Sequence, residues 1–271
     1  MKRLTTAVLA TVTLAMMASA TVAMAQEHGA AGGLSEAELT KANNPLADSN
    51  AFNIQDYYGS SLYGLPDQTS NSLLLRGVMV SGRQIIRATL PVSTIPTSAT
   101  ETTSGLGDLN VFDSIVLTPD GASTQLGLGP LFVFPTASND SLGQGKFQLG
   151  LAGVGVRPLS EGSLLAALVT WQASVAGDDN RENTNFLTAQ PFLIFQVGGG
   201  VYVRSSGLWT FDIENNRRLI PFGLGAGKVF RSGNAVVNVF AEPQFTVYHK
   251  GDGQPAFQVF TGINLQWAKR K

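Results

Sequence analysis

The sequence predicts an all-β protein, a closed antiparallel transmembrane β-barrel of about 12 strands with short periplasmic turns, longer extracellular loops and a short N-terminal periplasmic segment. Three observations lead to this prediction. Apolar and polar residues alternate in windows of about 9 to 11 residues, the length of a tilted membrane strand. The connections between these windows alternate between long and short. Only 14% of the 271 residues are charged, against about 25% in soluble domains, so part of the surface needs a cover other than water.

The first 25 residues have the features of a cleaved signal peptide. Two basic residues at positions 2 and 3 precede an apolar run, and the small-residue site AMA at 23–25 precedes Gln26. An uncleaved membrane anchor is the alternative, because the charge-free run is long enough to span a bilayer. Removal of 1–25 leaves 16 of the 18 basic residues against 19 acidic ones. The resulting formal charge of −3 gives no indication of nucleic-acid binding.

Residues 26–45 are predicted to form a flexible or short helical segment, and residues 46–271 the barrel. Ser35 and Glu38 have the spacing of a capping box, and Pro45 closes the segment. No later apolar run approaches the roughly 20 residues of a membrane helix. The sequence contains no cysteine, so hydrogen bonding and packing must stabilise the fold without disulfides.

About twelve candidate strands follow, separated by clusters of Gly, Pro, Asn, Asp and Ser. Their approximate cores are 50–58, 71–80, 83–92, 107–117, 124–134, 146–156, 164–175, 186–197, 200–209, 219–230, 235–247 and 256–267. The connections after the odd-numbered strands are long and polar, and most of those after the even-numbered strands are tight turns. A barrel with an even number of strands and both chain ends in the periplasm should show this order.

The two faces of most strands differ in polarity, and the polar face is expected to point into the lumen because polar side chains are costly against lipid. The lumen-lining candidates are Arg76, Arg87, Gln148, Gln172, Gln190, Arg204, Glu242, Gln244, Asn264 and Gln266. They would set selectivity by charge and hydrogen bonding. The alternative is that they pair with one another across a side-chain-filled barrel. The phase of the strand around Asp113 is not determined by its pattern.

Glycines and aromatic residues add two expectations. Gly223, Gly225 and Gly227 occupy alternate positions, which indicates a smooth inward barrel face and does not match a phosphate-binding loop. Aromatic side chains with a polar edge suit the headgroup zone of a membrane. The candidates for these interfacial girdles are Tyr58, Trp171, Trp209 and Trp267.

Catalytic and metal chemistry have little support in the sequence. Its two histidines are His28, in the N-terminal segment, and His249, beside a loop, and no catalytic serine motif accompanies either. A set of acidic loop residues lacks the ligand spacing of a calcium loop. These residues are Asp140, Asp178, Asp179 and Asp252. No catalytic residue, metal site or cofactor is therefore expected.

Several segments resemble a family of predicted Gram-negative outer-membrane β-barrel proteins, grouped under the MetA pathway of phenol degradation and often mislabelled neuromedin U. They are GLGPLFVFPTASNDSLGQGKFQLG at 127–150, NNPLAD at 43–48, GLGDL at 105–109, SVAGDDNR at 174–181 and FLTAQPFLIFQ at 186–196. The resemblance implies an outer-membrane barrel that passes small molecules, aromatic compounds among them. Two departures are ENNRR at 214–218, which bears on loop specificity, and the AKRK tail at 268–271, which weakens the terminal assembly signal.

Together these observations predict a porin-like outer-membrane channel for passive uptake or exchange of small solutes, with aromatic or hydrophobic compounds as one class. Two alternatives stay open: a side-chain-filled structural or adhesive barrel without transport, and a lipid-modifying barrel enzyme. The expected partners are outer-membrane lipids, lipopolysaccharide, the barrel-assembly machinery and an unidentified small solute. No nucleic acid is expected among them.

Overall fold

The computed structural model describes residues 34–98 and 100–267. The predicted signal peptide, His28 and the AKRK tail lie outside the described residues. The elements are α1 (Glu36–Asn43), β1 (Asn50–Leu62), β2 (Ser70–Ser81), β3 (Gln84–Pro96), β4 (Thr102–Leu106), β5 (Leu109–Val116), β6 (Gln125–Phe134), β7 (Lys146–Pro158), β8 (Leu164–Gly177), β9 (Asn185–Gly198), β10 (Val201–Ser205), β11 (Trp209–Asp212), β12 (Arg217–Gly223), β13 (Gly225–Ser232), β14 (Ala235–Lys250) and β15 (Pro255–Trp267). No helix in the described ranges has the length and apolarity to cross a membrane.

The strands form one closed antiparallel sheet. β1 pairs with β2 on one side and with β15 on the other, and this second pairing closes the barrel from Asn50↔Trp267 to Leu62↔Pro255. Three positions in the wall are each filled by two short strands: β4 with β5, β10 with β11, and β12 with β13. The fifteen strands therefore make a barrel of twelve strand positions, which confirms the predicted fold class.

Each of the three interruptions faces a proline on a neighbouring strand. The β4–β5 interruption lies beside Pro91, and the β10–β11 interruption lies between Pro191 on β9 and Pro221 on β12. Leu224, between β12 and β13, donates its backbone N–H to the carbonyl of Pro243 (3.3 Å). Proline has no N–H to donate, so the ladder cannot be continuous at these positions. The windows 200–209 and 219–230, each predicted as one strand, are broken for this reason. The window 107–117 holds the single strand β5, and β4 lies in sequence predicted as a loop.

The connections at the two ends of the barrel differ less in length than the sequence indicates. At the terminal end, where Asn50 and Trp267 lie, the connections are 82–83, 117–124, 159–163, 199–200 and 233–234. At the opposite loop end they are 63–69, 97–101, 135–145, 178–184, 213–216 and 251–254. Much of the polar sequence assigned to loops continues the strand ladder instead. β14, for example, has 16 residues and runs to Lys250.

Side chains alternate between the inside and the outside of the wall, and the apolar side chains outside form an exposed surface. In β8, Val169 is 44% exposed, whereas its neighbour Leu168 is 5% exposed. An exposed apolar face around a closed sheet is typical of a barrel surrounded by lipid. Asp113 lies on the outer face of β5, as does the exposed Ile115 two residues later. The Asp113 carboxylate accepts a hydrogen bond at Oδ2 from Gln84 Nε2 (2.8 Å), near the turn at 82–83.

The alternating glycines face inward and make room for large side chains. A Cβ atom at Gly227 would overlap the ring of Tyr202, a fully buried residue. A Cβ atom at Gly223 would overlap the side chain of Glu242, and one at Gly225 would overlap the Ala241 carbonyl oxygen and lie 2.7 Å from Glu242 Cβ. The glycine stripe therefore accommodates particular buried side chains, which is more specific than the smooth face that the sequence indicates.

Gly227→Ala is expected to impair folding of the barrel, because overpacking around Tyr202 costs about 1–3 kcal/mol or more. The measurement is the temperature at which the folded, faster-migrating band is lost on a gel. Gly77→Ala is the matched control, because no atom lies within 4 Å of a Cβ at this strand glycine. Equal melting of both variants would contradict the packing account.

Candidate functional site in the barrel lumen

The barrel encloses a cavity of about 140 Å³. Its walls come from inward-facing strand residues, and residues of the N-terminal segment line it as well. Six of the residues predicted from the sequence to line the lumen are among its lining residues: Arg76, Arg87, Gln190, Arg204, Asn264 and Gln266. Gln148, Glu242 and Gln244 are buried inside the barrel outside the cavity lining, and Gln172 is half-buried there.

The described part of the N-terminal segment, together with the residues that follow it as far as Ser49, enters the lumen at the terminal end and is held there by polar contacts. These residues, 34–49, are called the N-terminal segment below. Asn238 Nδ2 donates to the backbone carbonyl of Ala42 (3.3 Å) and to Asn43 Oδ1 (3.0 Å). Gln266 Nε2 donates to the same Ala42 carbonyl (3.1 Å), and Asn44 Nδ2 donates to Gln125 Oε1 (2.8 Å). These bonds tie the segment to three strands, β6, β14 and β15, so it spans the barrel mouth.

An apolar contact adds to these bonds. Leu46 is 5% exposed and belongs to the same core cluster as the inward side chains of the wall. Gly127 on β6 leaves the space that Leu46 fills, since a Cβ there would lie 2.9 Å from Leu46 Cδ2. Burial of a leucine side chain contributes about 1.5–3 kcal/mol. Leu46 thus anchors the segment inside the wall.

Helix α1 begins with a complete capping box. Ser35 donates both its backbone N–H (2.9 Å) and its hydroxyl (3.0 Å) to Glu38 Oε2, and Glu38 N–H donates to Ser35 Oγ (3.3 Å). Glu38 also forms an ion pair with Arg231 of β13. The bonds from Ser35, with a smaller contribution from Arg231, hold the pKa of the Glu38 carboxyl below its ordinary value of 4.5.

Acidification is expected to loosen α1. Because the pKa of Glu38 is lower in the folded state, its contribution to stability is present above pH 4.5 and is lost as the pH falls below that value through the folded pKa. Amide hydrogen exchange in α1, corrected for the intrinsic rate, should become faster at low pH. Glu38→Gln should remove most of this pH dependence, whereas Glu36→Gln should keep it. If Glu38→Gln kept the pH dependence, the Glu38 carboxyl would not be the group that loosens α1 at low pH.

A buried ion pair lies behind the β10–β11 interruption. Arg204 Nε donates to Glu242 Oε2 (2.8 Å), and the two side chains are 6% and 0% exposed. Ser206, in the interruption, donates its backbone N–H to Glu242 Oε1 (2.7 Å) and its hydroxyl to Oε2 (2.7 Å). The Arg204 guanidinium also lies 3.6 Å from the centre of the Phe240 ring. Glu242 therefore accepts the backbone N–H of Ser206, a residue that lies in the interruption between the two strands.

Three of the predicted glutamines form hydrogen bonds inside the barrel, Gln244 in a chain with Glu242 and Gln258, and Gln172 in a separate pair with Gln148. Gln244 Nε2 donates to Glu242 Oε1 (2.9 Å), and Gln258 Nε2 donates to Gln244 Oε1 (2.6 Å). Gln172 Nε2 donates to Gln148 Oε1 (3.0 Å). This part of the lumen is filled by side chains that satisfy one another.

Arg76 and Arg87 have a different environment. Arg76 donates to Gln55 Oε1, and Gln55 Nε2 donates to Asn264 Oδ1 (2.9 Å). The Arg87 guanidinium lies 4.3 Å from the centre of the Phe112 ring. The Nε atoms of both arginines are buried and have no hydrogen-bond partner among the described residues. Neither arginine forms an ion pair within the described part of the chain.

The predicted interfacial tryptophans lie on the outer face. Trp171, Trp209 and Trp267 are 45%, 37% and 42% exposed. Trp171 Nε1 donates to Asn185 Oδ1 (3.0 Å), and Tyr58 is half-buried on the outer face of β1. Trp267 lies at the terminal end, opposite Asn50. The depth of these side chains in a bilayer stays a prediction.

Three motif segments from distant parts of the chain meet at the loop end. The Asp108 carboxylate, from GLGDL, accepts the N–H groups of Ala137 (3.1 Å) and Gln144 (2.7 Å) in the loop 135–145. Arg181, from SVAGDDNR, donates to the Asp140 carbonyl (2.8 Å) and pairs with its carboxylate (3.6 Å). Asp108 and Arg181 from these motif segments therefore hold the loop 135–145 in place.

The residues considered for catalysis and metal binding are not brought together. The His249 ring stacks on Tyr63 with 3.4 Å between ring centres, and its buried Nδ1 has no partner among the described residues. Asp140 pairs with Arg181, and Asp178 accepts from Asn180 within its own turn. The described ranges contain no group of three or more metal-ligating side chains.

Sequence reasoning missed Asn53, Gln55 and Asn238, which all line the cavity. The period-two rule gives a usable signal for Asn238, since it shares a face of β14 with Glu242 and Gln244. Asn53 and Gln55 share the inward face of β1 with Ala51 and Tyr57. No local signal reveals the contacts of Asn238 with α1, which lie far away in the sequence.

No protein-family model and no curated protein sequence matches the chain. Among solved structures, the barrel is similar to the COG4313 outer membrane channel from Pseudomonas putida F1, with a TM-score of 0.60 and 14% identity over 82% of this chain and 97% of that chain. A KdgM porin in complex with disordered oligogalacturonate aligns over 82% and 99% with 9% identity and a TM-score of 0.44. The first similarity shows a shared barrel fold.

Proposed function

We propose that the protein is an outer-membrane channel for passive exchange of small solutes, exported with the signal peptide at 1–25. The closed sheet, its exposed apolar outer face and the fold shared with an outer membrane channel support a place in the outer membrane. The resemblance of the motif segments to the phenol-degradation family favours aromatic or hydrophobic compounds as one class of cargo. His249 stacks on Tyr63, and its buried Nδ1 has no hydrogen-bond partner among the described residues, which favours a channel over a lipid-modifying enzyme.

The observation that carries the proposal is the state of the polar groups around the cavity. Asn53 Oδ1, Arg76 Nε and Arg87 Nε are buried without a hydrogen-bond partner among the described residues. Buried polar groups in folded proteins are almost always satisfied by protein or by water. Polar groups that the protein itself leaves unsatisfied are therefore best explained by a lumen that holds water or solute.

The N-terminal segment, which belongs to no strand of the wall, lines the cavity from the terminal end of the barrel. Its hydrogen bonds to Asn238 and Gln266 and its buried Leu46 can be released without breaking the sheet. We infer that this segment acts as a gate for the channel. Arg76, Arg87, Arg204 and the amides of Gln190, Asn264 and Gln266 would line the path that it controls.

The hydrogen-bonded chain of Glu242, Gln244 and Gln258 favours a second candidate function, a filled structural barrel without transport. The two candidates differ in conductance. Refolded 26–271 in a planar bilayer should show discrete current steps if the protein is a channel. The absence of steps, both in this chain and in a chain that begins at Ser49, would favour the structural barrel.

A further inference from the structure

We propose that Arg76 and Arg87 form a binding site for a small carboxylate anion inside the barrel. The site deepens the proposed channel function, on which its role in solute selection rests. It is built on two adjacent strands, where the register pairs Arg76 with Thr89 and Val78 with Arg87. Arg87 is thus a diagonal neighbour of Arg76 on the inward face, and diagonal neighbours are within reach of long side chains. Both side chains line the same cavity.

No carboxylate among the described residues pairs with either arginine. Arg204, in the same lumen, does have such a partner, since its Nε lies 2.8 Å from Glu242 Oε2. Within the described ranges, the Arg76 guanidinium donates only to the neutral Gln55, and Arg87 faces the Phe112 ring. No Asp or Glu is among the described residues that line the cavity. Two half-buried cations at neighbouring inward positions, without a carboxylate beside them in the described ranges, favour an anion between them.

A carboxylate fits this arrangement better than a spherical ion. A guanidinium presents its N–H groups in a planar fork that matches the two oxygens of a carboxylate. The Nε atoms of Arg76 and Arg87, both unpartnered within the described residues, are donors that the protein does not use. Phe112 flanks Arg87 and provides an apolar surface for the organic part of such an anion.

The first test measures binding without any need for conduction. The unfolding temperature of refolded 26–271 should rise when acetate replaces chloride at constant ionic strength, and acetamide should have no such effect. In Arg76→Gln and Arg87→Gln, acetate binding should be about tenfold weaker or more, since a charge-assisted bond is lost. Arg157→Gln is the matched control, because Arg157 is exposed and outside the cavity.

A loss of acetate binding in these variants is not expected to reflect impaired folding. Removal of a half-buried cation that has no carboxylate partner among the described residues should leave the unfolding temperature without acetate unchanged or higher. Equal stabilisation by acetate and chloride, or an unchanged acetate response in both lumen variants, would overturn the carboxylate site.

The second test connects the site to transport. Under a salt gradient, the reversal potential of the wild-type channel should show preference for anions, and Arg76→Gln/Arg87→Gln should reduce this preference while Arg157→Gln retains it. A channel that conducts without anion preference would overturn the role of the site in selection. A barrel that binds acetate but passes no current would contradict the proposed function and leave the binding site supported.

Discussion

A chain that begins at Ser49 is expected to form a channel that stays open, whereas the chain from Gln26 is closed for most of the time. The truncation removes Ala42, Asn43 and Leu46 from the mouth of the barrel. The wall remains intact because its first pairing begins at Asn50. Single-channel recording in planar bilayers measures the effect as open probability.

The size of this effect follows from the contacts that hold the segment. Each hydrogen bond from Asn238 and Gln266 contributes about 1 kcal/mol. Asn238→Ala/Gln266→Ala, which leaves the segment in the chain, should therefore raise the open probability by about tenfold or more. The full truncation should have a larger effect because it also removes Leu46.

A chain that begins at Leu34 is the matched control for the truncation. It keeps every contact of the N-terminal segment that the structure describes, so it should behave as the chain from Gln26 does. An equal open probability in the chains that begin at Leu34 and at Ser49 would show that residues 34–48 do not close the channel.

Glu242→Ala is expected to destabilise the barrel strongly. The change leaves the Arg204 guanidinium buried without its counter-ion and removes the acceptor for Ser206 and Gln244. Removal of one partner from a buried ion pair typically costs about 3–5 kcal/mol. The folded band on a heat-modifiability gel should be lost at a much lower temperature than in the wild-type protein.

Two further variants isolate the cause. Asp140→Ala breaks the ion pair with Arg181 at the loop end, where Asp140 is 99% exposed, and should cost about 1 kcal/mol or less. Arg204→Met in the Glu242→Ala background removes the uncompensated charge and should restore part of the stability. Similar melting of Glu242→Ala and Asp140→Ala would refute the importance of the buried pair.

The fold could be predicted closely because the residue pattern within each barrel strand is sufficient to identify that strand. Period-two alternation identifies the inward and outward residues of a strand without knowledge of its neighbours, as Gln148 and the exposed Leu149 show. The interruptions at 206–208 and 224 could not be predicted in the same way. Pro191, Pro221 and Pro243 are visible in the sequence, but their effect depends on the register that brings each one beside a particular segment.

The candidate site could be predicted only in part. Period-two alternation indicates that Arg76, Arg87 and Arg204 share an environment, yet of the three only Arg204 has a carboxylate partner in the part of the chain that the structure describes. That difference depends on which strands become neighbours around the barrel. Placement of the N-terminal segment in the lumen likewise depends on bonds between residues such as Asn238 and Ala42, which are 196 positions apart.

The most direct test of the channel account is current block by thiol modification of single cysteines, in a chain that has none of its own. Asn264→Cys places the thiol in the cavity, and Ile263→Cys places it on the outer face, where Ile263 is 40% exposed. In the chain that begins at Ser49, a bulky thiol reagent should reduce the conductance of Asn264→Cys and leave that of Ile263→Cys unchanged. Unchanged conductance in both variants would contradict passage through the barrel lumen.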